Sequence, residues 1–386
     1  MIQSMRAVLF AAAAGGALAL SACGETTQGA PEVTTSTVPV FHAEGRPEKL
    51  SEWNLLRLAD GGLALNDRVT AYDLNSSLFT DYAHKLRTVW LPEGASAAYN
   101  GEETFDFPVG TVISKTFYYP GGDDAVVLED DTTAERLNSG FALADVRLIE
   151  TRLLVRREAG WDALPYVWNE DQTDAVLKRT GDAQQLTLTS ADGVREDFTY
   201  IVPNANQCAG CHATNATTRE IMPIGPKARH LNRDFAYADG MANQLNEWSE
   251  LGLLSGAPEV ADAPRNAVWS DASASVDDRA RAYLDINCAH CHNRVGPADT
   301  SGLLLEHDAP VGPSLGLCKL PIAAGKGTGG RLFGIVPGEA DQSIFTYRME
   351  SVDPSIMMPE LGRSLSHEEG TRLIADWIAA MDGSCA

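Results

Sequence analysis

Two copies of a five-residue cysteine–histidine motif carry the clearest chemistry in this sequence. They read CAGCH at positions 208–212 and CAHCH at positions 288–292. Two thiols three positions apart, followed directly by a histidine, form the attachment motif of c-type haem, in which the thiols bond to the porphyrin and the histidine binds the iron. The motifs therefore predict two covalently bound haem c groups. The predicted attachment residues and proximal iron ligands are Cys208, Cys211, His212, Cys288, Cys291 and His292.

A zinc ribbon or a thiol redox pair is the alternative for the same cysteines. Two Cys-x-x-Cys pairs can together hold one zinc ion. However, the interval between positions 211 and 288 is far longer than a zinc ribbon uses. Zinc binding also gives no reason for a histidine after both pairs, so the haem interpretation is favoured.

The N-terminus predicts where the protein is sent. One basic residue, Arg6, precedes an apolar stretch rich in Ala and Leu that is too short to span a membrane convincingly. The stretch ends in LSAC at 20–23, which resembles the lipobox of bacterial lipoproteins and predicts lipid attachment at Cys23. An ordinary secretory signal is the alternative. Gly24 follows, and by analogy with Gram-negative lipoproteins a residue other than Asp there indicates the outer membrane, so we expect a lipid anchor on the periplasmic side.

Two of the seven cysteines have no role in lipid or haem attachment. They are Cys318 and Cys385, and an even pair in an oxidising compartment predicts a disulfide bond. Two unrelated buried thiols are the alternative.

The formal net charge of the chain is −23. This acidity argues against nucleic acid as a partner. It suits a basic redox partner protein, although solubility alone is the simpler explanation. No second apolar stretch reaches membrane-spanning length, so the lipid is the predicted link to the membrane.

The elements that must position the motifs change character along the chain. Alternating apolar residues, as at 149–155 and 186–189, predict strands before the first motif. Apolar residues at helical spacing predict helices near 239–253, at 280–286 before the second motif and at 373–381, the last with a capping box from Ser366 and Glu369. The predicted segments are a signal peptide at 1–22, a tether at 23–45, a β-rich module at 46–202, a first haem segment at 203–256, a linker at 257–277 and a second cytochrome c domain at 278–386. We therefore expect an α+β protein in which a β-rich N-terminal module precedes mainly α-helical c-type haem domains.

The sixth coordination position of each iron separates electron transfer from ligand chemistry. For the second haem, the loop MMPELGR at 357–363 precedes the terminal helix. Pro359 fixes the turn so that the preceding Met358 can reach the iron. Met357 is the alternative ligand, and packing of both methionines in the apolar shell is the alternative role.

The first haem has several candidate distal ligands. Met222 also precedes a proline and lies shortly after the first motif, so it is the predicted ligand. His230, Met241 and His84 are its rivals, and an open position is a further alternative. We expect His367 to lie at the surface.

The chain resembles known cytochromes beyond its motifs. Its final segment resembles the class I-like cytochrome c domains of bacterial secreted proteins, in AYL at 282–284, SGL at 301–303, VPGE at 336–339 and MP at 358–359. Residues 50–386 resemble a family of dihaem c-type cytochromes without assigned function, in YDLN at 72–75, LFTDY at 78–82, WNEDQT at 168–173, IGPKAR at 224–229 and MPELGR at 358–363. The resemblance implies two covalent haems and redox work outside the cytoplasm, but no substrate.

These patterns lead us to expect a lipid-anchored periplasmic dihaem cytochrome that passes single electrons between redox partner proteins. A dihaem peroxidase is the alternative from the enzyme class, and it requires an open distal position at the first haem with an acid–base residue above it. A haem-bearing sensory or structural lipoprotein, with the β-rich module as its partner-binding surface, is the third reading.

Overall fold

The computed structural model of the protein describes residues 37–59, 61–121, 125–127, 141–190, 193–322 and 324–385. The predicted signal peptide, the predicted lipid attachment at Cys23 and most of the predicted tether fall outside these residues.

Antiparallel strands make up most of the regular structure before the first motif. In chain order the strands are β1 (Leu56–Ala59), β2 (Gly62–Leu65), β3 (Thr70–Tyr72), β4 (His84–Trp90), β5 (Ala97–Ala98), β6 (Val112–Pro120), β7 (Ala125–Val127), β8 (Phe141–Ala142), β9 (Val146–Arg157), β10 (Gly160–Trp168), β11 (Ala175–Leu177), β12 (Asp182–Thr189), β13 (Arg195–Val202), β14 (Asp234–Tyr237), β15 (Gly240–Asn243) and β16 (Leu254–Ser255).

A six-stranded sheet in the spatial order β11-β10-β9-β6-β4-β3 forms the centre of the fold. Its strand β6 is rich in β-branched and aromatic residues, which pack well on a pleated surface. Val112 pairs with Val155 and Ile113 with Leu154 across these two strands. Successive side chains point to opposite faces, yet both faces are largely buried, so the sheet is covered on two sides.

The N-terminal part of the described chain covers one face of the sheet. Trp53 and Leu63 pack there with Val112 and Leu153 in one hydrophobic cluster. The indole N–H of Trp53 donates a hydrogen bond to the Tyr166 hydroxyl at 2.7 Å, which satisfies a polar group in that core.

The opposite face of the sheet packs against the parts of the chain that carry the motifs. One cluster combines Val89 of the sheet with Trp248 and Ile286. These three residues come from three different predicted segments. Residues Thr37–Ala386 accordingly group as one compact unit.

Helices are short throughout the described residues. They are α1 (Ala205–His212), α2 (Ala228–Leu231), α3 (Gln244–Glu250), α4 (Val276–Leu284), α5 (Ile344–Glu350) and α6 (Glu368–Ala379). The prediction of mainly α-helical haem domains is therefore wrong, because strands hold more of the structure than helices do. Between α4 and α5 the chain forms 3₁₀ turns and loops, and left-handed glycines such as Gly302 (φ 62°) and Gly316 (φ 108°) end those turns.

Two helix starts differ from the sequence expectation. The helix expected from about 239 begins at Gln244, because β14 and β15 form a hairpin that turns before Gly240 and Asn243 then caps the helix. At α6 the expected capping box does not form. The hydroxyl of Ser366 donates to the Met349 carbonyl, and Glu369 accepts a hydrogen bond from the Tyr82 hydroxyl instead.

Candidate functional site

Both cysteine–histidine motifs line a single cavity of about 500 Å³. Its size is in the range of small-molecule and cofactor sites. Helix α1 presents the first motif, and Asn204 caps that helix by accepting hydrogen bonds from the backbone N–H groups of Asn206 and Gln207. Helix α4 continues into a π-helical turn over Asp285–Ala289, which carries the chain to Cys288.

The two motifs run side by side, although many residues separate them in the sequence. The Sγ atom of Cys291 lies 3.9 Å from the carbonyl oxygen of Gly210. Further along, the backbone N–H of Ala216 donates to the Val295 carbonyl at 2.7 Å. The four motif cysteines are free thiols. The structure therefore brings the two Cys-x-x-Cys-His motifs into direct contact at one cavity.

The imidazole of His212 is held in one tautomer. Its Nδ1 lies 2.8 Å from the carbonyl oxygen of Met222. A carbonyl can only accept, so Nδ1 carries the proton and Nε2 keeps its lone pair. Burial lowers the pKa of His212 to about 3, so the ring is neutral near pH 7. A neutral imidazole whose second nitrogen is hydrogen-bonded is the usual state of a metal-ligating histidine.

His292 is oriented in a similar way by a hydroxyl group. Its Nδ1 lies 3.1 Å from Ser301 Oγ, and that hydroxyl donates its own hydrogen to the Ala298 carbonyl at 2.7 Å. The hydroxyl oxygen then accepts from Nδ1–H. Nε2 therefore keeps its lone pair, which could bind a metal ion. Burial, together with the nearby charge of Arg348, lowers the pKa of His292 to about 4.

The predicted distal ligand Met358 lines the cavity. Its alternative, Met357, is buried and is not among the lining residues. The buried guanidinium of Arg363 fixes this loop by donating to the Met358 carbonyl at 3.0 Å and to the Ser351 carbonyl at 2.8 Å. These contacts within the protein hold the Met358 loop at the cavity.

The same loop also reaches the first motif. A Cβ atom added at Gly210 would lie 3.1 Å from Cδ1 of Leu361. Gly210 sits between the two cysteines of the first motif, so the chain after Met358 packs directly on that motif. One loop therefore contacts the surroundings of both predicted haem sites.

Met222 lies behind the first histidine and does not line the cavity. Its carbonyl accepts from His212, and its own N–H donates to the His212 carbonyl at 2.9 Å. Its predicted role as distal ligand has no support in this geometry. The rival residues do not line the cavity either: His230 lies 3.4 Å from Asp285, His84 packs near Tyr118, and Met241 is 68 % exposed.

Two further histidines, neither of which was expected to bind iron, also line the cavity. His290, inside the second motif, has a buried Nδ1 with no hydrogen-bond partner among the described residues. His367 is buried rather than at the surface, stacks on Phe79 with 4.3 Å between ring centroids, and its Nδ1 lies 2.9 Å from the Tyr283 hydroxyl. The expectation of a surface position for His367 is therefore wrong, since this residue directly before helix α6 packs against four aromatic rings, those of Phe79, Tyr82, Trp269 and Tyr283.

Three cationic side chains at the cavity wall were also missed. Arg87, Lys115 and Arg152 come from the central sheet and line the cavity. The sequence signal was a single lysine inside the apolar strand β6, and Arg87 and Arg152 lie in strands that carry other charged residues as well. That signal is ambiguous, because an alternating strand is normally expected to expose its charged positions to water.

Cys318 and Cys385 are joined by a disulfide bond in the structure, with 5.3 Å between their Cα atoms. The bond connects the chain end to the loop region between α4 and α5, 67 positions earlier.

No model of a known protein family matches this chain, and no curated protein or solved structure matches it. In the part of the chain that the structure describes, no helix is both long and apolar enough to cross a membrane. Within the same residues, no three His, Cys, Asp or Glu side chains converge as a metal-binding cluster. The features that bear on function are therefore the two motifs and the cavity they share.

Proposed function

We propose that the protein is a dihaem c-type cytochrome that passes single electrons between redox partner proteins. The observation that carries this proposal is the pair of Cys-x-x-Cys-His motifs on one cavity, each with a histidine whose Nε2 is free. The lipobox-like sequence before Cys23 supports a lipid anchor on the periplasmic side of a bacterial membrane, at the outer membrane.

The residues present fit two haem c groups. Free thiols stand at Cys208, Cys211, Cys288 and Cys291, which are the positions that haem attachment requires. His212 and His292 would be the proximal ligands, and Met358 would be the distal ligand of the second haem. When bound, the haems supply reversible one-electron chemistry, and a thioether ligand with a buried site favours the reduced iron.

The protein itself supplies enclosure and orientation. Because the two motifs touch, both cofactors would share one cavity, and an electron would pass between them without a movement of the chain. The hydrogen bonds on His212 Nδ1 and His292 Nδ1 keep each imidazole in the tautomer that an iron ligand needs. The Arg363 contacts hold the Met358 loop in place.

The charge of the chain supports a basic partner protein. At −23 the protein attracts cationic surfaces, and this attraction weakens as the screening length falls from about 10 Å at 0.1 M salt to about 3 Å at 1 M. The same charge opposes nucleic acid binding.

Haem content is the first test. Mature protein made in a host with a cytochrome c maturation system should give two haems per chain by pyridine haemochrome assay. The variant Cys211→Ser should reduce thioether attachment at the first site only. The matched control Ala209→Ser, which adds a hydroxyl inside the same motif and keeps both thiols, should keep two haems. A wild-type protein with one haem or none contradicts the proposal.

Electron transfer is the second test. Reduced protein is mixed by stopped flow with a basic soluble cytochrome at several ionic strengths. We expect rapid oxidation that slows with added salt. Slow exchange at every salt concentration would remove the support for a relay.

A peroxidase-like reaction at the first haem is the second candidate function. It is favoured by one observation, namely that Met222 lies behind His212 and not on the cavity. Electron spin resonance of the oxidised protein at low temperature distinguishes a high-spin, open iron from a Met- or His-ligated one. A high-spin signal together with fast, saturable oxidation by hydrogen peroxide would replace the relay with this alternative.

A further inference from the structure

A row of three cations crosses the central sheet at the cavity. Arg87 on β4 pairs directly with Lys115 on β6, and Lys115 pairs with Arg152 on β9. All three line the cavity that holds both motifs. Like charges directly opposite one another on neighbouring strands destabilise a sheet. A row of three therefore needs negative charge close by.

In the part of the chain that the structure describes, the carboxylates hydrogen-bonded to the row stand at its two ends. Arg87 Nη1 donates to Asp73, and Arg152 Nε donates to Glu150 at 2.8 Å. Glu150 is completely buried and also accepts from the Tyr200 hydroxyl at 2.8 Å, so three hydrogen bonds hold its carboxylate in place.

The central cation has no such partner. Among the described residues, no carboxylate and no hydrogen-bond acceptor pairs with the Lys115 ammonium, which lies 5.0 Å from the centroid of the Phe117 ring. Burial, with the neighbouring charges of Arg152, Arg87 and Lys85, lowers the pKa of Lys115 well below its ordinary value, and the opposing charge of Glu150 does not offset this. A cation in an enclosed cavity is costly unless an anion accompanies it.

We propose that Arg87, Lys115 and Arg152 bind the propionate carboxylates of the haem attached at Cys208 and Cys211. The inference rests on the proposed function, because it requires a haem at the first motif. The propionates of a haem lie on the porphyrin edge away from the groups that bond to the cysteines, so their binding site belongs on a different cavity wall from the motif. Arginine and lysine side chains are the usual partners of carboxylates, and arginine binds them in two-point geometry.

The position of the row fits the first motif. Helix α1, which carries Cys208 and Cys211, packs on strand β10, and β10 is the neighbour of β9, which carries Arg152. The row and both cysteines line the same cavity. The first haem segment, 203–256, is too short to enclose a haem by itself. The β-rich module would supply the remaining cavity wall.

The variant Lys115→Met tests the proposal, because it removes the charge and keeps a similar length. The mature holoprotein is compared with wild type by redox-difference infrared spectroscopy, with and without ¹³C-labelled propionates. We expect the labelled carboxylate bands to shift in Lys115→Met and the potential of the first haem to fall. Lys326→Met, at an exposed lysine, is the control and should change neither readout.

A charge-preserving variant separates the charge from the shape. Lys115→Arg should keep wild-type carboxylate bands and potential. If Lys115→Met does not accumulate, Lys115→Gln serves for the same comparison, since its neutral amide is tolerated better in a polar setting. Unchanged bands and an unchanged potential in the uncharged variant would overturn the proposal.

A small soluble anion has the same chemistry as a propionate and is the other source to distinguish. Wild-type protein is titrated with acetate and with nitrate while the Soret band and the potential are followed. We expect no saturable response, because the row is already occupied. A saturable response that disappears in Lys115→Met would assign the row to a free anion and contradict the propionate assignment. A wild type with two haems but unaltered variant spectra refutes this inference alone, whereas a wild type without haem refutes the proposed function.

Discussion

A buried ion pair between Asp285 and Arg229 joins the two parts of the chain that carry the motifs, and its contribution to stability can be measured. The Oδ2 atom of Asp285 accepts from Arg229 Nε at 2.7 Å and from Asn266 Nδ2 at 2.9 Å, and its Oδ1 accepts from Arg229 Nη2 at 3.1 Å. The side chains of Asp285 and Arg229 are only 1 % and 5 % exposed. The pair links helix α2 to the turn that leads into Cys288.

Replacing Asp285 by Asn keeps the size of the side chain and removes its charge. The guanidinium of Arg229 is then buried without a counter-charge, and the new amide N–H₂ faces other donors. Breaking a buried ion pair by removing one partner costs about 3–5 kcal/mol. We expect Asp285→Asn to lower the free energy of unfolding of the mature protein by that amount at pH 7.

The effect should depend on pH in a definite direction. Burial alone would raise the pKa of Asp285, but the hydrogen bonds from Arg229 overcome it and hold the pKa well below its usual range. A depressed pKa stabilises the fold above the unfolded value of about 4, and the contribution is lost as the pH falls further. The difference between wild type and Asp285→Asn should therefore shrink below about pH 4.

Urea unfolding followed by far-ultraviolet circular dichroism measures this difference at pH 7 and at pH 3. The matched control is Glu103→Gln, because Glu103 pairs with Lys227 at 3.0 Å but its side chain is 71 % exposed. Exposed pairs contribute about 0–1 kcal/mol. A loss in Asp285→Asn no larger than in the control, or a difference that persists unchanged in acid, would refute the reasoning.

Three further predictions concern the disulfide, a tight contact and the distal ligand. Changing both Cys318 and Cys385 to Ser should lower the free energy of unfolding by about 4 kcal/mol, the chain-entropy value for a loop of this length, as measured by urea unfolding. Gly370→Ala should lower it by about 1–3 kcal/mol in the same assay, because the new Cβ would lie 2.4 Å from the Tyr283 hydroxyl. Met358→His should lower the potential of the second haem in a spectroelectrochemical titration, because imidazole favours the oxidised iron more than a thioether does.

The Gly370 and Met358 predictions each have a control variant that should leave the measured value near wild type. Gly101→Ala places its Cβ no closer than 3.8 Å to Tyr99, so it should cost far less than Gly370→Ala. Met357→Leu changes a buried methionine that does not line the cavity and should not alter the potential. Equal losses in Gly101→Ala and Gly370→Ala would contradict the close contact at Gly370. An unchanged potential in Met358→His would show that Met358 is not the ligand.

The alternating patterns at 149–155 and 186–189 fall in strands β9 and β12, whereas the expectation of mainly α-helical domains around the motifs was wrong. Period-two patterns indicated β9 correctly, but they could not show that both of its faces are covered, because Arg152 looks like a surface residue until its neighbours are known. Helical spacing indicated α4 and α6. It did not predict that most of the chain between these two helices forms turns. Those turns follow the shape of the cavity wall, which local sequence does not specify.

The same limit applied to the distal ligands. A methionine before a proline predicts a turn, but not the direction in which the turn faces. Met358 lines the cavity, whereas Met222 lies behind His212 with its carbonyl on Nδ1. Both methionines precede a proline, so the local sequence does not distinguish them. Packing against residues that are distant in the chain decides which one lines the cavity.

What the sequence determined by itself is chemistry that depends on short spacing. Two thiols and an imidazole within five residues must lie together in any fold, so the attachment motifs could be recognised without a structure. Only the tertiary structure decided that Cys291 meets Gly210 and that Lys115 stands between Arg87 and Arg152. Those contacts join residues far apart in the chain, and their positions are set by strand register and by the packing of separate elements, neither of which a short motif encodes.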